Sequence, residues 1–208
     1  MEYVNKIIEG MSVTWRNKDM QQPLSQKDVD YFSNLAAQTP TKQSNKYFDL
    51  YAITNQTLIE KIFNHTNVPE PSEGFDVPQP ANSQVVSPLL LVWVSCQLKV
   101  GNLSQRYSIY ANETELLSDT HQAVGISAGV VAYEANVKEF VTGFCKCIDN
   151  AGIINEINSF GFDIHPDEQI LLLLGIGKPK FQDPRQHQFY DMTYEPHDRV
   201  NPDIYYIK

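Results

Sequence analysis

The sequence has few cysteines, few basic residues and no long apolar run. Its three cysteines, Cys96, Cys145 and Cys147, are too few for a disulfide framework in 208 residues and favour a reducing compartment. The longest apolar runs, 85–94 and 170–177, are too short to cross a bilayer. The first ten residues lack the apolar stretch of a signal peptide, so we expect a cytoplasmic protein.

The balance of charge narrows the class of partner. Sixteen Lys and Arg residues against 25 Asp and Glu residues give a formal net charge of −9. Such a field repels nucleic-acid phosphates and anionic lipids. We therefore expect neither a nucleic acid nor a membrane as a partner of the surface as a whole, although a local basic pocket for one phosphate remains open.

There is enough apolar sequence for one sizeable core. Hydrophobic residues make up 42% of the chain and charged residues 20%, which excludes a wholly disordered or fibrous protein. A length of 208 residues is close to the usual size of one domain. We expect a single domain over 1–208, with a long variable loop at 67–84 and a C-terminal extension at 181–208.

Hydrophobic periodicity predicts helices that alternate with strands. Ser25 is placed to cap the first helix, and Pro40 prevents its continuation. The predicted helices cover 24–38, 55–66, 113–140 and 150–160, and the predicted strands cover 47–54, 89–96 and 169–175. The predicted irregular segments are the loops 67–84 and 99–112, a turn at 143–149, and the tail from 181 onward. This pattern indicates α+β or α/β layering and excludes a β-sandwich or barrel.

Two short motifs are interpreted structurally. Gly175-x-Gly177 follows a strand, but a dinucleotide-binding loop needs a third glycine and a helix that starts there, and Pro179 follows instead. We therefore expect a tight turn. Cys145-x-Cys147 is a single pair, whereas structural zinc takes four ligands, so no metal site is expected. The chain has no Gly-x-Ser-x-Gly motif of the kind found in serine hydrolases.

Three separate polar segments suit an anionic ligand. They are Arg16-Asn17-Lys18 before the first helix, the loop 41–46 after it, and Arg185 beyond the last strand. Each segment alone is typical of a solvated loop. Guanidinium forks and amides nevertheless suit phosphate and the polar edges of rings. Together the segments indicate a pocket for an anion assembled from distant parts of the chain.

Five pieces of sequence follow one another in the order of a known family. They are Arg16-Asn17-Lys18 before a helix, the polar loop 40–48 before a strand, Ser87-Pro88 before an apolar strand, the long helix 119–140, and a closing set of Thr142-Gly143, Pro166-Asp167-Glu168 and Gly175-x-Gly177-x-Pro179. Over about residues 13–185 the chain resembles the FMN-dependent nitroreductase-like family. No single piece is specific, and the resemblance rests on their order and spacing.

The resemblance implies a fold and an activity. The fold would be a three-layer α+β arrangement with a central, mostly antiparallel sheet flanked by helices. Two chains would form an intertwined homodimer with FMN in two pockets at the interface, and Gly125 and Gly129 are compatible with close helix packing there. NAD(P)H would reduce the flavin, which would pass electrons to a small acceptor such as a nitroaromatic or a quinone. No side chain need act as a nucleophile, acid or base.

The resemblance also implies roles for particular residues. Arg16 would hold the FMN phosphate with help from Arg185, and Asn17 and Lys18 would lie beside the phosphate or the pyrimidine edge of the ring. Lys18 and Lys46 are candidate cations for the reduced flavin. The remaining implied contacts are Ser44, Asn45, Asn82, and the backbone of Gly143, Phe144, Cys145 and Lys146.

Departures from the family pattern keep two alternatives open. Met20 stands at the second basic position, Lys46 replaces a glutamine, and Tyr47-Phe48 replaces Pro-Trp. One alternative is other flavin chemistry on the same fold, such as dehalogenation or flavin fragmentation, which the loop 67–84 would determine. The other is a non-catalytic binding protein that has lost flavin. Met20 and the altered loop favour this second alternative, whereas Arg16 and Arg185 argue against it.

Overall fold

The structure of the chain is a computed structural model that describes residues 7, 10–66, 82–96, 113–191 and 193. Most of the predicted loops 67–84 and 99–112 lies outside the described residues, as does the chain beyond 193. No helix in the described ranges is long and apolar enough to span a membrane.

Among the described residues, four strands form one antiparallel sheet in the order β1-β2-β4-β3. Their ranges are Phe48–Ile53 for β1, Leu89–Ser95 for β2, Val141–Cys145 for β3 and Ile170–Gly177 for β4. All three pairings are antiparallel, and the two central strands consist almost entirely of buried apolar residues because both of their faces are covered. The predicted α+β class with a mostly antiparallel sheet is confirmed.

In the described part of the chain, four helices flank this sheet where periodicity predicted them. They are α1 (Gln26–Ala37), α2 (Gln56–Asn64), α3 (Glu113–Val137) and α4 (Asn150–Asn158). Side chains at the starts of α1, α2 and α4 accept hydrogen bonds from backbone N–H groups that would otherwise lack a partner. These caps are Ser25, Asn55 and Asp149.

The helices lie in two layers, one on each face of the sheet. A core on one face contains residues of α2 and α4, together with the short 3-10 helix Ser83–Val85. The other core contains residues of α1 and α3. Trp93 of β2 donates its indole N–H to Ser127 of α3 (3.0 Å), and Ser127 donates to the carbonyl of Ala36 of α1 (2.7 Å), so a buried hydrogen-bond chain joins the sheet to both helices of this second layer.

Three sequence predictions are corrected near the sheet edge. The predicted turn at 143–149 is wrong for its first three residues, because Gly143, Phe144 and Cys145 belong to β3. Gly143 suggested a turn, but within β3 it lets the segment that carries Trp15 lie close to the strand. The strand predicted to end at Gly175 continues to Gly177, because these glycines also let other segments lie close to β4. The predicted helix 113–140 ends at 137, and Glu139 has a φ of 61°, which no helix accommodates.

Candidate functional site

Three glycines make a bare patch on one face of the sheet. Gly143 of β3 lies directly opposite Gly175 of β4, and Gly177 lies two residues further along the same face. A Cβ atom added to Gly143 would clash with the Trp15 carbonyl and lie 2.9 Å from Lys18 Nζ. One added to Gly175 would clash with the carbonyl of Gln84. The absence of side chains therefore lets two loop segments lie directly on the strands.

Lys18 lies on this patch and is completely buried. Its Nζ donates to the carbonyls of Trp15 (2.9 Å) and Gln84 (2.8 Å). Burial, and then the nearby charge of Arg16, lower the pKa of Lys18 from 10.5 to about 7. Neither cause is a carboxylate, and in the part of the chain that the structure describes Nζ donates to two carbonyl groups and to no acid. When protonated, a buried ammonium held only by carbonyl dipoles attracts an anion.

Arg16 begins a chain of hydrogen bonds that crosses the site. Its Nη1 donates to Gln84 Oε1 (2.9 Å), and Gln84 Nε2 donates to Asn82 Oδ1 (3.0 Å). Asn82 Nδ2 in turn donates to the carbonyl of Cys147 (3.5 Å). Ser83 Oγ donates to the carbonyl of Arg16 (2.6 Å). This network joins the segment before α1, the 3-10 helix and the residues that follow β3, and it brings Arg16 and Asn82 into the neighbourhood of Lys18.

Asn17 and Arg185 belong to the same neighbourhood but have other partners. Asn17 is buried, and its amide donates to the carbonyls of Asp183 (2.9 Å) and Gln186 (3.0 Å), so it fixes the segment after β4. Arg16 N–H donates to the carbonyl of Pro184 (2.8 Å), next to Arg185. The Arg185 guanidinium pairs with Asp183 (3.3 Å). Arg185 therefore lies near Arg16 in the folded chain, but the Asp183 carboxylate already neutralises part of the charge of the Arg185 guanidinium.

Gly143 to Lys146 form the edge of the site. Cys145 shares its face with Gly143, whereas Phe144 packs into the core on the opposite face. Burial raises the pKa of the Cys145 thiol to about 12, which keeps it protonated and unreactive. Lys146 Nζ donates to the carbonyl of Ile170, and burial lowers its pKa.

The opposite edge of the sheet, beside β1, holds the three loop residues Ser44, Asn45 and Lys46. They precede β1, whereas Arg16 and Lys18 contact β3, and three strand spacings of ~4.8 Å separate the two edges. Lys46 pairs with Asp49 (2.5 Å). Asn45 Nδ2 is buried without a hydrogen-bond partner among the described residues, beside a concavity of about 390 Å³. One protomer therefore does not bring these three residues to Arg16.

Sequence reasoning missed several residues that build the site. Gln84 links Arg16 to Asn82, and the Trp15 carbonyl holds Lys18, yet nothing in either residue's type or spacing indicates this. The three glycines were visible in the sequence, but only the register of β3 and β4 shows that they share a face. Met20, at the family's second basic position, packs against the core on this face.

The donor set fits a phosphate-bearing flavin better than a metal ion. A guanidinium, a buried ammonium and two side-chain amides suit phosphate and the polar edge of a ring. In the part of the chain that the structure describes, no three His, Cys, Asp or Glu side chains are grouped to hold a metal.

The fold resembles solved structures at low sequence identity. A protein from Exiguobacterium sibiricum 255-15, solved in complex with FMN, is 13% identical with a TM-score of 0.67, covering 95% of this chain and 92% of its own. A nitroreductase family protein from Clostridium novyi NT is 14% identical with a TM-score of 0.60, covering 92% and 94%. CLA-ER, an enone reductase of gut-bacterial fatty acid saturation, is 12% identical with a TM-score of 0.61, covering 92% and 94%.

These likenesses show that the chain has the nitroreductase fold. At such identities they carry the fold alone. No protein-family model and no curated protein sequence matches the chain.

Proposed function

We propose that the protein is an FMN-dependent oxidoreductase that takes electrons from NAD(P)H and passes them to a small oxidised acceptor such as a nitroaromatic or a quinone. The observation that carries the proposal is the completely buried Lys18 beside Arg16, whose Nζ donates to two backbone carbonyls and to no carboxylate among the described residues. A protein that had lost its anionic ligand would have little reason to retain this cost. The fold shared with an FMN-containing structure supports the same proposal.

Different residues of the chain would bind different parts of the flavin. Arg16 would bind the phosphate through its guanidinium fork, and Lys18 would add charge from beneath without direct contact, because its Nζ donates to two carbonyls. Asn82, with Gln84, would present amides to the ring edge, and the backbone of Gly143 to Lys146 would face the ring. Asn17 would fix the segment that carries Arg185. The bound flavin supplies the hydride and electron chemistry.

The visible absorption spectrum of the purified protein tests the proposal. We expect about one FMN per chain, identified by the mass of the released chromophore, and oxidation of NADH or NADPH by the loaded protein with at least one nitroaromatic or quinone. Flavin without turnover of any such acceptor would favour other flavin chemistry on this fold. No flavin after incubation with excess FMN would contradict the proposal and favour a binding protein.

We further propose that two chains form a homodimer and that each contributes to the other's flavin pocket. Asn45 has an unsatisfied buried amide at the edge away from Arg16, and a partner would bring it to a flavin. Helix α3 presents an apolar face with Ile126 (48% exposed) and Tyr133 (50%), around Gly125 and Gly129. A Cβ added at either glycine meets nothing within 4 Å of the protomer.

Gly129→Leu tests the dimer. The protomer has open space there and leucine favours helix over glycine by up to ~1 kcal/mol, so the variant should fold. Sedimentation velocity should show the wild type as a dimer and the variant shifted at least tenfold toward monomer. Lys27→Leu, at an exposed position of α1, should leave the dimer intact. A variant as dimeric as the wild type would show that this face of α3 is not the interface.

A further inference from the structure

Gln84 is the residue that joins both cations of the proposed flavin site. It lies in the 3-10 helix Ser83–Val85 and is buried. Its Oε1 accepts a hydrogen bond from Arg16 Nη1 (2.9 Å), and its Nε2 donates to Asn82 Oδ1 (3.0 Å). Its backbone carbonyl accepts a hydrogen bond from Lys18 Nζ (2.8 Å). One residue therefore contacts the guanidinium, the ammonium and one amide of the site.

The bare glycine patch on the sheet fixes the position of Gln84. A Cβ atom added to Gly143 would lie 2.7 Å from Gln84 Cβ, and one added to Gly175 would clash with the Gln84 carbonyl. From the other side, Ser83 Oγ donates to the carbonyl of Arg16 (2.6 Å), so the 3-10 helix is tied to the segment that carries the guanidinium. A side chain held in this way loses little conformational entropy when Arg16 binds an anion.

Gln84 holds both cations with uncharged oxygen atoms. The other arginine of this neighbourhood, Arg185, pairs instead with the carboxylate of Asp183 (3.3 Å). A carboxylate neutralises part of the charge of the group that it orients, whereas an amide or carbonyl oxygen orients a cation and leaves its charge in place. The contacts of Gln84 therefore orient Arg16 and Lys18 without neutralising either of them.

We propose that Gln84 makes the site selective for a phosphorylated ligand, FMN rather than riboflavin, because it orients the Arg16 guanidinium with an uncharged oxygen. The inference rests on the proposed flavin function and assigns to one side chain the discrimination between two flavins that differ only in the phosphate. Gln84 is a positioning residue, since its Oε1 faces Arg16 and acts on the phosphate through the guanidinium. Exchange of its amide for a carboxylate should therefore change which flavin the site prefers.

The dissociation constants of FMN and riboflavin, measured by flavin fluorescence quenching on titration of the apoprotein, test the inference. The wild type should bind FMN about 100-fold more tightly than riboflavin. Gln84→Glu places a carboxylate on the guanidinium and should reduce this preference about tenfold or more, because hydrogen bonds to charged groups are about twice as strong as neutral ones. The affinity for riboflavin should change less than about threefold. Gln26→Glu adds the same charge at the exposed start of α1 and should leave the preference unchanged.

Gln84→Met removes the acceptor without adding a charge, and so separates positioning from electrostatic repulsion. It should lower the preference for FMN over riboflavin about threefold to tenfold. In the Arg16→Ala background the same change should leave the remaining preference as it was, because the guanidinium that Gln84 orients is absent. A residue that merely supported the fold would lower the affinity for both flavins alike in either background.

The behaviour of the wild type separates failure of this inference from failure of the proposed function. A wild type that binds neither flavin would overturn both. A wild type that binds both flavins equally, or Gln84→Glu and Gln84→Met variants that fold and keep the full preference for FMN, would overturn only the role of Gln84. A preference that falls in Gln84→Met equally with and without Arg16 would show that Gln84 does not act through the guanidinium.

Discussion

Replacing Arg16 by alanine is expected to weaken FMN binding about 100-fold. Charge-assisted hydrogen bonds to an anion contribute about 1.5–3 kcal/mol, and the upper part of that range corresponds to a hundredfold change in affinity. The guanidinium is half-buried, and Gln84 orients it, so little of its entropy remains to be lost on binding. Flavin fluorescence quenching on titration of the apoprotein gives the dissociation constant directly.

Three further variants separate charge from geometry. Arg16→Lys keeps the charge but loses the bidentate fork, and we expect an intermediate loss of about tenfold. Lys27→Ala removes an exposed cation from α1 and should leave the affinity unchanged. Arg185→Ala should have a smaller effect than Arg16→Ala, because Asp183 already shares its charge. Unchanged flavin affinity in a folded Arg16→Ala variant would remove Arg16 from the site.

The elements of the fold followed from local signals in the sequence. The cap at Ser25 and apolar stripes of helical period indicate α1 and α4 without knowledge of the rest of the chain. Strand β3 was not predicted, because it has only five residues with a glycine at its centre. That glycine is required by a segment 128 positions earlier in the chain, the one carrying Trp15. Local reasoning has no access to such a contact.

The site was less accessible to prediction than the fold. Its residue types could be chosen, since Arg16, Lys18 and Asn82 do lie in one neighbourhood. The partners of these side chains could not be predicted. A lysine is expected at the surface, whereas Lys18 is completely buried against two backbone carbonyls. Asn17 was expected beside a ligand, and the sequence did not indicate that its amide also fixes the segment 183–186. Side-chain roles of this kind depend on tertiary register, which residue spacing does not encode.

The buried charge of Lys18 gives the second large prediction, a pH dependence of stability. The difference between its ordinary pKa of 10.5 and about 7 in the folded chain corresponds to about 5 kcal/mol. Below pH 7 the lysine is protonated in both folded and unfolded chains, and this whole cost opposes folding. Between pH 7 and 10.5 the unfolded chain binds the additional proton, so the free energy of unfolding rises with pH. Above pH 10.5 the cost has disappeared.

Urea unfolding of the wild type and of Lys18→Met between pH 6 and 9.5 measures this contribution. The difference between the two free energies of unfolding should grow in favour of the wild type by about 3 kcal/mol from pH 7 to 9.5. The difference at any single pH is less informative, because methionine leaves the carbonyls of Trp15 and Gln84 without their donor. Parallel pH curves for the two proteins would show that Lys18 does not titrate in this range.

The same charge links stability to ligand binding. A bound phosphate favours the protonated lysine, so binding FMN at pH 8 should take up protons, and the affinity should fall as the pH rises above 7. Calorimetry in buffers of different ionisation enthalpy measures the uptake, and Lys18→Met should abolish it. Proton uptake that persists in Lys18→Met would assign it to another group. Its loss would show that the cation which destabilises the empty protein contributes to holding the anion.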